Sequence, residues 1–323
     1  MSFSSEIKIE IAKVSDGARH CRLAELAAFL IFGSCRITEC GDGSYQIRFQ
    51  TEHLYMAEKY VLLLKQLFGL IPQIEEERQP GRNSSSYVVN IDDREGAVRI
   101  LEGVKLIEAD GSVARGVSLE HSVLLRQECC RRAFLRGAFL VCGSISDPNR
   151  SYHLEMVCND SFSAAQLCAL VRTMEISAKS IIRKKYHVVY IKESDEISRM
   201  LGLMGSRVGL MNFENIRILR EVRGNVNRKV NCETANINKT VTAAVRQVED
   251  IEYIRDTIGL ESLSKVLDEM ARVRLQYREA SLTELGSLLD PPVGKSGVNH
   301  RLRKLSKIAE VLRENRRSIK NGQ

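Results

Sequence analysis

One segment near the C terminus, 295–312, gathers side chains that can recognise an acidic polymer. An asparagine can pair with the edge of adenine and an arginine with the edge of guanine, so Asn299 and Arg303 are suited to contacting bases. Lys295 stands where a lysine and the free amides of a helix N terminus would suit a phosphate. The segment therefore predicts an interface with double-stranded DNA. The candidate contact residues are Lys295, Ser296, Asn299, His300, Arg301, Arg303, Lys304 and Lys307.

A single helix would place most of these donors on one face. Its apolar residues recur at helical spacing and form one stripe, while Asn299 and most of the basic residues lie off that stripe. Ser296 is the predicted N-cap of the helix. This arrangement is typical of a recognition helix, which docks one face on a partner helix and offers the other to DNA. The apolar stripe consists of Val298, Leu302, Leu305, Ala309 and Leu312.

A second helix is predicted directly before the recognition helix. Ser281, followed three residues later by Glu284, forms a capping box, which marks the start of a helix. The two prolines of 290–294 then end that helix, because proline cannot extend it and disfavours helical angles in the residue before it. We therefore predict a helix-turn-helix over 281–313. Its connection is longer than the roughly three or four residues of a simple motif.

The distribution of charge favours the same partner. Nine lysines and arginines lie in 295–323 against two glutamates, whereas the other 294 residues hold 39 basic and 39 acidic side chains. The net charge of +7 therefore resides in the last tenth of the chain. A basic tail can be no more than a solvated surface, but a basic face inside a patterned helix favours nucleic acid.

The first 200 residues contain one unit written twice. The segments 22–34 and 132–144 are both amphipathic, rich in small residues and closed by Gly-Ser. Each is followed by alternating and helical stretches in the same sequence, with turn signals at 41–43 and 79–83. The predicted order is helix, strand, strand, helix, strand, strand, helix, twice over, which is an α+β pseudo-dimer. Further predicted helices are 53–68 and 161–174, and predicted strands include 45–49, 87–91, 152–156 and 185–191.

Small residues indicate how the two copies meet. They fall on one face of each repeated helix, and small side chains let two helix backbones approach closely. We therefore expect these two helices to pack side by side at the centre of the pseudo-dimer. The residues concerned are Ala24, Ala27 and Ala28 in the first helix, and Ala133, Gly137 and Ala138 in the second.

The repeated unit resembles the LAGLIDADG homing-endonuclease fold. In that fold each central helix ends in an acidic residue just before a glycine, and the two acids hold the metals that cleave DNA. The matching positions here are Phe32 and Cys142, and neither side chain is a ligand for a hard cation. Asp42 and Asp147 lie past the helix ends, and the repeat does not relate them. The resemblance thus implies the scaffold without its catalytic pair, and we expect no enzymatic activity.

The predicted fold class is α+β, with a pseudo-dimeric LAGLIDADG homing-endonuclease-like domain followed by an all-α helix-turn-helix domain. A glycine-rich stretch without clear period, 202–209, indicates the boundary. The predicted divisions are 1–205 for the endonuclease-like domain with repeats at about 20–108 and 129–203, 206–224 for a linker, and 225–323 for the helical DNA-binding domain.

Cysteine usage predicts neither a metal site nor a disulfide framework. The nine cysteines are scattered and form no CxxC pair, and none of the six histidines has metal-ligand spacing from a cysteine. This pattern is typical of reduced thiols in a reducing compartment. We therefore predict no metal and no cofactor.

Apolar runs are too short to predict a membrane-spanning segment. The run 26–32 is one of the longest, and a bilayer requires roughly 20 apolar residues. The first ten residues carry charges and no apolar core of a secretory signal. We therefore expect a cytoplasmic, nucleoid-associated protein with no membrane partner.

The C-terminal third resembles the WhiA family, and the resemblance extends over nearly the whole chain. It includes the pairing of a degenerate homing-endonuclease domain with a C-terminal helix-turn-helix. The resemblance implies a sequence-specific regulator that binds promoter DNA and acts in sporulation, cell division and chromosome segregation, with another transcription regulator or RNA polymerase as candidate partners. The resembling residues are Asn227-Arg228, Val230–Asn236, Lys239-Thr240 and, above all, Lys295–Leu302.

Two other functions stay open from the sequence alone. In the first, the endonuclease-like domain binds a protein partner and the chain is an architectural or interaction protein with weak, unspecific DNA binding. In the second, the chain is an active nuclease that uses carboxylates other than the missing pair. DNA titrations with specific and scrambled duplexes distinguish the regulator from the first alternative, and a cleavage assay with magnesium or manganese tests the second.

Overall fold

The computed structural model divides the chain into two compact units, Met1–Glu221 and Val222–Gln323. Its described residues form eleven α-helices and eight β-strands. The turn signals predicted at 41–43 and 79–83, and with them Asp42, lie outside the described residues. The described residues are 2–321 except 41–43, 79–84, 109–111 and 115–121.

The first unit opens with helix α1 (Phe3–Ala12) and then contains one pattern twice, in the order predicted from the sequence. The first copy comprises α2 (Arg19–Phe32), β1 (Ser34–Glu39), β2 (Tyr45–Thr51), α3 (Leu54–Phe68), β3 (Ile74–Arg78), β4 (Ser85–Ile91) and α4 (Arg94–Gly103). The second copy comprises α5 (Glu128–Cys142), β5 (Gly143–Ile145), β6 (Leu154–Cys158), α6 (Ser161–Thr173), β7 (Lys179–Arg183), β8 (Tyr186–Ile191) and α7 (Ser194–Met204).

Each copy builds one four-stranded antiparallel sheet. The strand order is β1-β2-β4-β3 in the first sheet and β5-β6-β8-β7 in the second, so the two copies share one topology. In β2 the side chains of Tyr45, Ile47 and Phe49 are buried while the residues between them are more exposed. This alternation determines which face of β2 packs against the core of the unit.

The two repeated helices, α2 and α5, pack directly against each other, as the small residues predicted. Ala24, Ala27 and Ala28 are fully buried in α2. A Cβ atom added to Gly137 of α5 would lie 2.6 Å from the Glu25 carbonyl oxygen and 3.0 Å from the Ala28 Cβ. The backbones are therefore so close at this point that only glycine fits.

A buried charge network accompanies this helix contact. Glu25 of α2 is fully buried and accepts hydrogen bonds from Arg136 of α5, at 3.0 Å from Nε and 3.1 Å from Nη2. The Nζ atom of Lys59 in α3 lies 3.2 Å from the same carboxylate, and Asp16 also pairs with Arg136. Burial alone would lower the pKa of Arg136, but hydrogen bonding to Glu25 raises it above its ordinary value. The network therefore links three helices through one carboxylate.

Helix α8 (Arg207–Ile258) is 52 residues long and includes the segment 206–224 almost entirely. We expected a linker there because of its glycines, but the segment is helical. Its N terminus is capped from a distance, since the Glu10 carboxylate of α1 accepts hydrogen bonds from the backbone amides of Val208 at 2.7 Å and Gly209 at 2.9 Å. This cap from another helix adds to Ser206, which directly precedes the helix and whose carbonyl accepts the Leu210 amide at 3.3 Å.

The second unit contains α9 (Lys265–Gln276), α10 (Leu282–Ser287) and α11 (Lys295–Asn321) beside the C-terminal part of α8. No helix in the described part of the chain is both long and apolar enough to cross a membrane. The unit has its own core, which all four helices supply. The buried residues of that core are Ile251, Ile254, Leu260, Met270, Ala271, Leu285, Leu289, Val298, Leu302, Leu305 and Ala309.

Candidate nucleic-acid interface

Helix α10 begins with the predicted capping box. The Ser281 amide donates to Oε2 of Glu284 at 2.7 Å, and the Glu284 amide donates to Oγ of Ser281 at 3.3 Å. The hydrogen bond from the Ser281 amide is the largest cause that lowers the pKa of the Glu284 carboxyl. The structure confirms the box, and α10 ends at Ser287, before the prolines that were predicted to end it.

A close backbone approach joins α10 to the turn that follows it. The Val293 amide donates to the Gly286 carbonyl at 2.9 Å. A Cβ atom at Gly286 would lie 2.0 Å from the Val293 carbonyl oxygen and 3.2 Å from Cγ2 of Val298. Because a backbone atom cannot move aside as a flexible side chain can, Gly286 sets the distance between α10 and the start of α11.

Glu269 of α9 holds the turn and α11 together, a role that no sequence pattern predicted. One oxygen of its carboxylate accepts the Asp290 amide at 3.0 Å. The other oxygen lies 3.9 Å from the Arg301 guanidinium of α11. The only sequence signal available was that Asp290 precedes the prolines that end the preceding helix, which locates the turn and not its partner.

The apolar stripe of α11 is buried as predicted. Val298, Leu302, Leu305 and Ala309 are each at most 1 % exposed. Leu312, at the end of the stripe, is partly buried against the same core. One face of α11 is thereby docked on its own unit, as a recognition helix requires.

The start of α11 differs from the prediction by one or two residues. The helix begins at Lys295, and the Gly294 carbonyl accepts the Val298 amide at 3.1 Å. Ser296 therefore lies within the first turn, and the prediction that it is the N-cap is wrong. The serine hydroxyl was the only capping signal nearby, yet the chain turns into the helix at a glycine.

The opposite face of α11 carries the predicted donors. Within the described part of the chain, no hydrogen bond or ion pair engages the side chains of Lys295, Ser296, Asn299, His300, Arg303, Lys304 or Lys307. All of these side chains are exposed except Asn299, which is half-buried. At about 100° of rotation per residue, Ser296, His300, Arg303 and Lys307 lie along one line of the helix surface. Lys295 and Asn299 lie on one side of this line and Lys304 lies on the other. The structure thus brings all seven residues together as one unpaired polar face, which we call the α11 face.

Arg301 is the predicted contact residue that lies apart from the α11 face. Its side chain is 21 % exposed and approaches Glu269 of α9. At about 100° per residue it stands only about 40° from Leu305, at the margin of the buried stripe. Its charge is therefore partly balanced inside the unit.

A second arginine anchors α11 farther along. Arg313 donates to Oδ1 of Asp250 at 2.6 Å, and its guanidinium lies 4.9 Å from the centre of the Tyr253 ring. Asp250 is only 1 % exposed. The ion pair and the cation–π contact hold α11 on α8 beyond the apolar stripe.

The C-terminal ends of α2 and α5 are the positions that carry the acids in the LAGLIDADG fold. The Phe32 ring packs edge-on against Phe134, with centroids 5.9 Å apart. The Cys142 thiol donates to a backbone carbonyl one turn earlier at 3.1 Å, and burial raises its pKa, so it stays neutral. The Lys8 ammonium lies 5.9 Å from the Phe139 ring, one turn before Cys142. This end of the helix pair presents an aromatic ring, a thiol and a cation.

Asp147, the described alternative carboxylate, is used locally. Its Oδ1 atom accepts the Asn149 amide at 2.9 Å, and this bond lowers the pKa of the Asp147 carboxyl. The residue lies in an exposed turn beyond β5. Its position is that of a turn residue.

Three family models match the chain in succession. They are the WhiA N-terminal LAGLIDADG-like domain over residues 19–107, the WhiA LAGLIDADG-like domain over 131–223, and the WhiA C-terminal HTH domain over 226–309. The first two match the two structural copies, and the third includes α9, α10 and the whole α11 face.

Full-length relatives and a solved structure agree with these models. The chain is 45% identical over 326 residues to a protein of Lachnoclostridium phytofermentans named "Probable cell division protein WhiA", covering 97% of this chain and 100% of that one. A protein of the same name from Desulfitobacterium hafniense strain Y51 is 45% identical over 324 residues, with 100% of both chains covered. The crystal structure of full-length DUF199/WhiA from Thermatoga maritima is 28% identical with a TM-score of 0.57, and the match covers 96% of this chain and 98% of that one. The chain therefore belongs to the WhiA family, and its fold is a pseudo-dimeric LAGLIDADG-like domain followed by an all-α helix-turn-helix domain.

Proposed function

We propose that this protein is a sequence-specific DNA-binding transcription regulator that contacts duplex DNA through the α11 face and is not an enzyme. One observation carries the proposal. Helix α11 buries one face in the core of its unit and leaves lysine, arginine, asparagine and histidine side chains on the other face without intramolecular partners in the described chain. Unpaired donors on a docked helix are what phosphates and base edges require.

The positions along α11 indicate a division of roles. Lys295 and Ser296 stand in the first turn, where free backbone amides favour a phosphate. Asn299 and Arg303 come next on the surface that would enter the major groove, and their side chains can pair with adenine and guanine edges. Lys304 and Lys307 lie on the flank, where they suit phosphates of the backbone.

His300 and Arg301 receive subordinate roles. His300 is exposed on the α11 face and has no partner in the described chain, so we assign it a sugar or phosphate contact. Arg301 approaches Glu269, so we assign it to the alignment of α11 on α9 and not to DNA.

The endonuclease-like domain has in this proposal a binding role without catalysis. Cleavage by its fold needs two carboxylates at the ends of the central helices to hold metal. Phe32 and Cys142 stand there instead, and the half-buried Lys8 is nearby. The domain is therefore assigned to binding a partner, another transcription regulator or RNA polymerase being the candidates. An incubation of the full chain with plasmid and magnesium or manganese should leave the plasmid intact.

The relatives named as cell division proteins suggest the process that this regulator serves. We extend the proposal to promoters of genes for cell division, with sporulation and chromosome segregation as related processes, and to a cytoplasmic protein associated with the nucleoid. Genome-wide mapping of DNA bound by the full chain is the direct measurement. Enrichment at a common motif in promoters supports the regulator, whereas uniform occupancy supports the architectural alternative.

An in vitro selection tests the interface itself. The full chain should enrich one motif from random duplexes, and the double variant Asn299→Ala/Arg303→Ala should lose that enrichment. A matched control is Lys13→Ala, which removes one exposed cation from the other unit. If the double variant selected the same motif as the unmodified chain, base contact by the α11 face would be excluded.

A further inference from the structure

A cluster of metal-ligating side chains lies at the N-terminal ends of α2 and α5. His20 and Cys21 are the second and third residues of α2, and Cys129 and Cys130 are the second and third residues of α5. One imidazole nitrogen and three sulfur atoms of these residues all lie within 4.8 Å of one another. We call this group the Cys–His cluster.

The imidazole of His20 points into the cluster. Its Nδ1 atom is 3.1 Å from the Cys130 sulfur and 3.3 Å from the Cys21 sulfur. Cys21 and Cys130 are buried, while His20 and Cys129 are exposed. The cluster therefore has an inner pair of ligands and an outer pair through which an ion can enter.

We propose that the Cys–His cluster is a binding site for one zinc ion, held by three thiolates and the Nδ1 atom of His20. Three cysteines and one histidine form a ligand set of structural zinc. With Zn–S bonds of about 2.3 Å and Zn–N bonds of about 2.0 Å, tetrahedral geometry separates two sulfurs by about 3.8 Å and nitrogen from sulfur by about 3.5 Å. The spacing in the cluster is close to these values, so small side-chain rotations suffice to form the site.

The same spacing argues against two other uses of the cluster. An iron–sulfur centre places several irons and sulfides between its protein ligands, which demands a wider separation than a single ion does. A disulfide would use two of the sulfurs and leave the third sulfur and the inward imidazole without a role. A single thiophilic cation engages all four atoms.

The charge of the complex fits its position. On binding, three thiol protons pass to solvent, neutral His20 keeps its second ring proton, and the complex carries a net charge of −1. The N termini of two helices, of 14 and 15 residues, favour a negative group because their free amides are positive ends. Arg19 and Arg22 stand in the first turn of α2 and Arg131 in that of α5, whereas the charge of Arg132 is balanced by Glu128.

The site would join the two structural copies at one end of the central helix pair. His20 and Cys130 are 110 residues apart in the sequence, and no CxxC or similar local pattern announces the site. The proposal therefore replaces our expectation from the sequence that the chain binds no metal. It does not depend on the DNA-binding proposal, because all four ligands belong to the first unit.

The test measures zinc in the full chain, purified without chelator and without a metal-affinity tag. We expect one zinc per chain by elemental analysis. Replacement of zinc by cobalt should give the visible bands of tetrahedral Co²⁺ with thiolate-to-metal charge transfer. The variants His20→Ala and Cys129→Ser alter exposed positions. Each removes one of the four ligands, so each should weaken zinc binding by at least the roughly 10–100-fold that loss of a mere supporting residue costs, and each should lose its metal on dialysis under conditions in which the unmodified chain keeps one equivalent.

The control is Cys232→Ser, which removes an exposed free thiol outside the cluster and should retain one equivalent of metal. Chelation should lower the Tm of the unmodified chain and of Cys232→Ser, and should leave the Tm of Cys129→Ser unchanged. A metal-free chain that fails to bind added zinc overturns the proposal, as does metal retained in both ligand variants. An intact mass two protons lighter that shifts back on reduction assigns the cysteines to a disulfide and also overturns it.

Discussion

In the endonuclease-like unit Arg136 and Lys59 are buried around one carboxylate, whereas on α11 Arg303 and Lys307 are exposed and engage no partner in the described chain. Arg136 is 3 % exposed and has its charge met by Glu25. Lysine and arginine thus have two different roles in this chain, one in the buried core and one on the exposed surface of α11. A cation that is paired inside a fold contributes to its architecture, and a cation left unpaired on a docked helix remains available to a ligand.

This distinction matters because net charge alone does not reveal it. The first unit holds many arginines and lysines, yet much of this charge is balanced by nearby carboxylates, as in the pairs Arg48–Glu77 and Arg183–Glu155. On α11 the donors outnumber the acids of the same helix.

Arg136→Met should cost the first unit roughly 3–5 kcal/mol of unfolding free energy, because it leaves the buried Glu25 carboxylate short of its main partner. Hydrogen exchange along α2 and α5, together with urea unfolding of the full chain, measures the loss. The control on the same helix is Arg132→Met, which breaks an exposed pair with Glu128 and should cost less than about 1 kcal/mol. Equal losses in the two variants would remove the distinction between buried and exposed pairs.

Arg303→Ala should weaken binding to the selected DNA site by roughly 1–3 kcal/mol and relax preference at one base pair. Binding to scrambled duplex should change much less, since a lost base contact matters only at the preferred sequence. Titration of both duplexes with the full chain gives the two values. Equal losses on specific and scrambled DNA would make Arg303 a phosphate contact.

Lys304→Ala/Lys307→Ala should weaken binding to all duplexes alike. Each lost phosphate contact should reduce the slope of log affinity against log salt by roughly 0.9. The measurement is affinity at several salt concentrations, and the charge-matched control is Lys13→Ala/Lys65→Ala, two exposed lysines of the other unit. An unchanged slope in the α11 variant would show that these lysines do not meet phosphate.

Arg301→Ala should have the smallest effect on DNA, although it removes the same charge from the same helix as Arg303→Ala. Its guanidinium is 3.9 Å from Glu269, so its loss should cost about 0–1 kcal/mol of stability and leave base preference intact. Thermal unfolding and the two-duplex titration provide the comparison. A loss of specificity as large as that of Arg303→Ala would show that Arg301 contacts bases together with the α11 face.

Periodicity was sufficient to predict most of the regular structure. Strand β2 and helix α6 begin at Tyr45 and Ser161, where their patterns placed them. The close approach at Gly137 also followed from the sequence, because small residues on one face of a helix let a second helix backbone come close. The predicted donors of α11 were grouped correctly on one face except for Arg301, whose place beside Glu269 depends on how α9 packs.

Features that depend on distant contacts could not be predicted in this way. The start of α8 is capped by Glu10, which lies 198 residues from Val208, so a window around the glycines suggested a linker. The Cys–His cluster is assembled from two dipeptides on different helices, and each dipeptide alone has no metal-ligand spacing. In both cases the decisive partner becomes visible only when the helices are packed.

The close contact at Gly286 bears on how the DNA preference that we propose for this chain could change. The residue touches no base in our proposal, yet it sets the distance between α10 and α11 through Val293 and Val298. A substitution there would rotate or shift the whole recognition helix as one body, moving every donor on the α11 face together. Under the proposed function, the preferred DNA sequence could therefore change through the angle of α11 while the side chains that meet the bases stay the same.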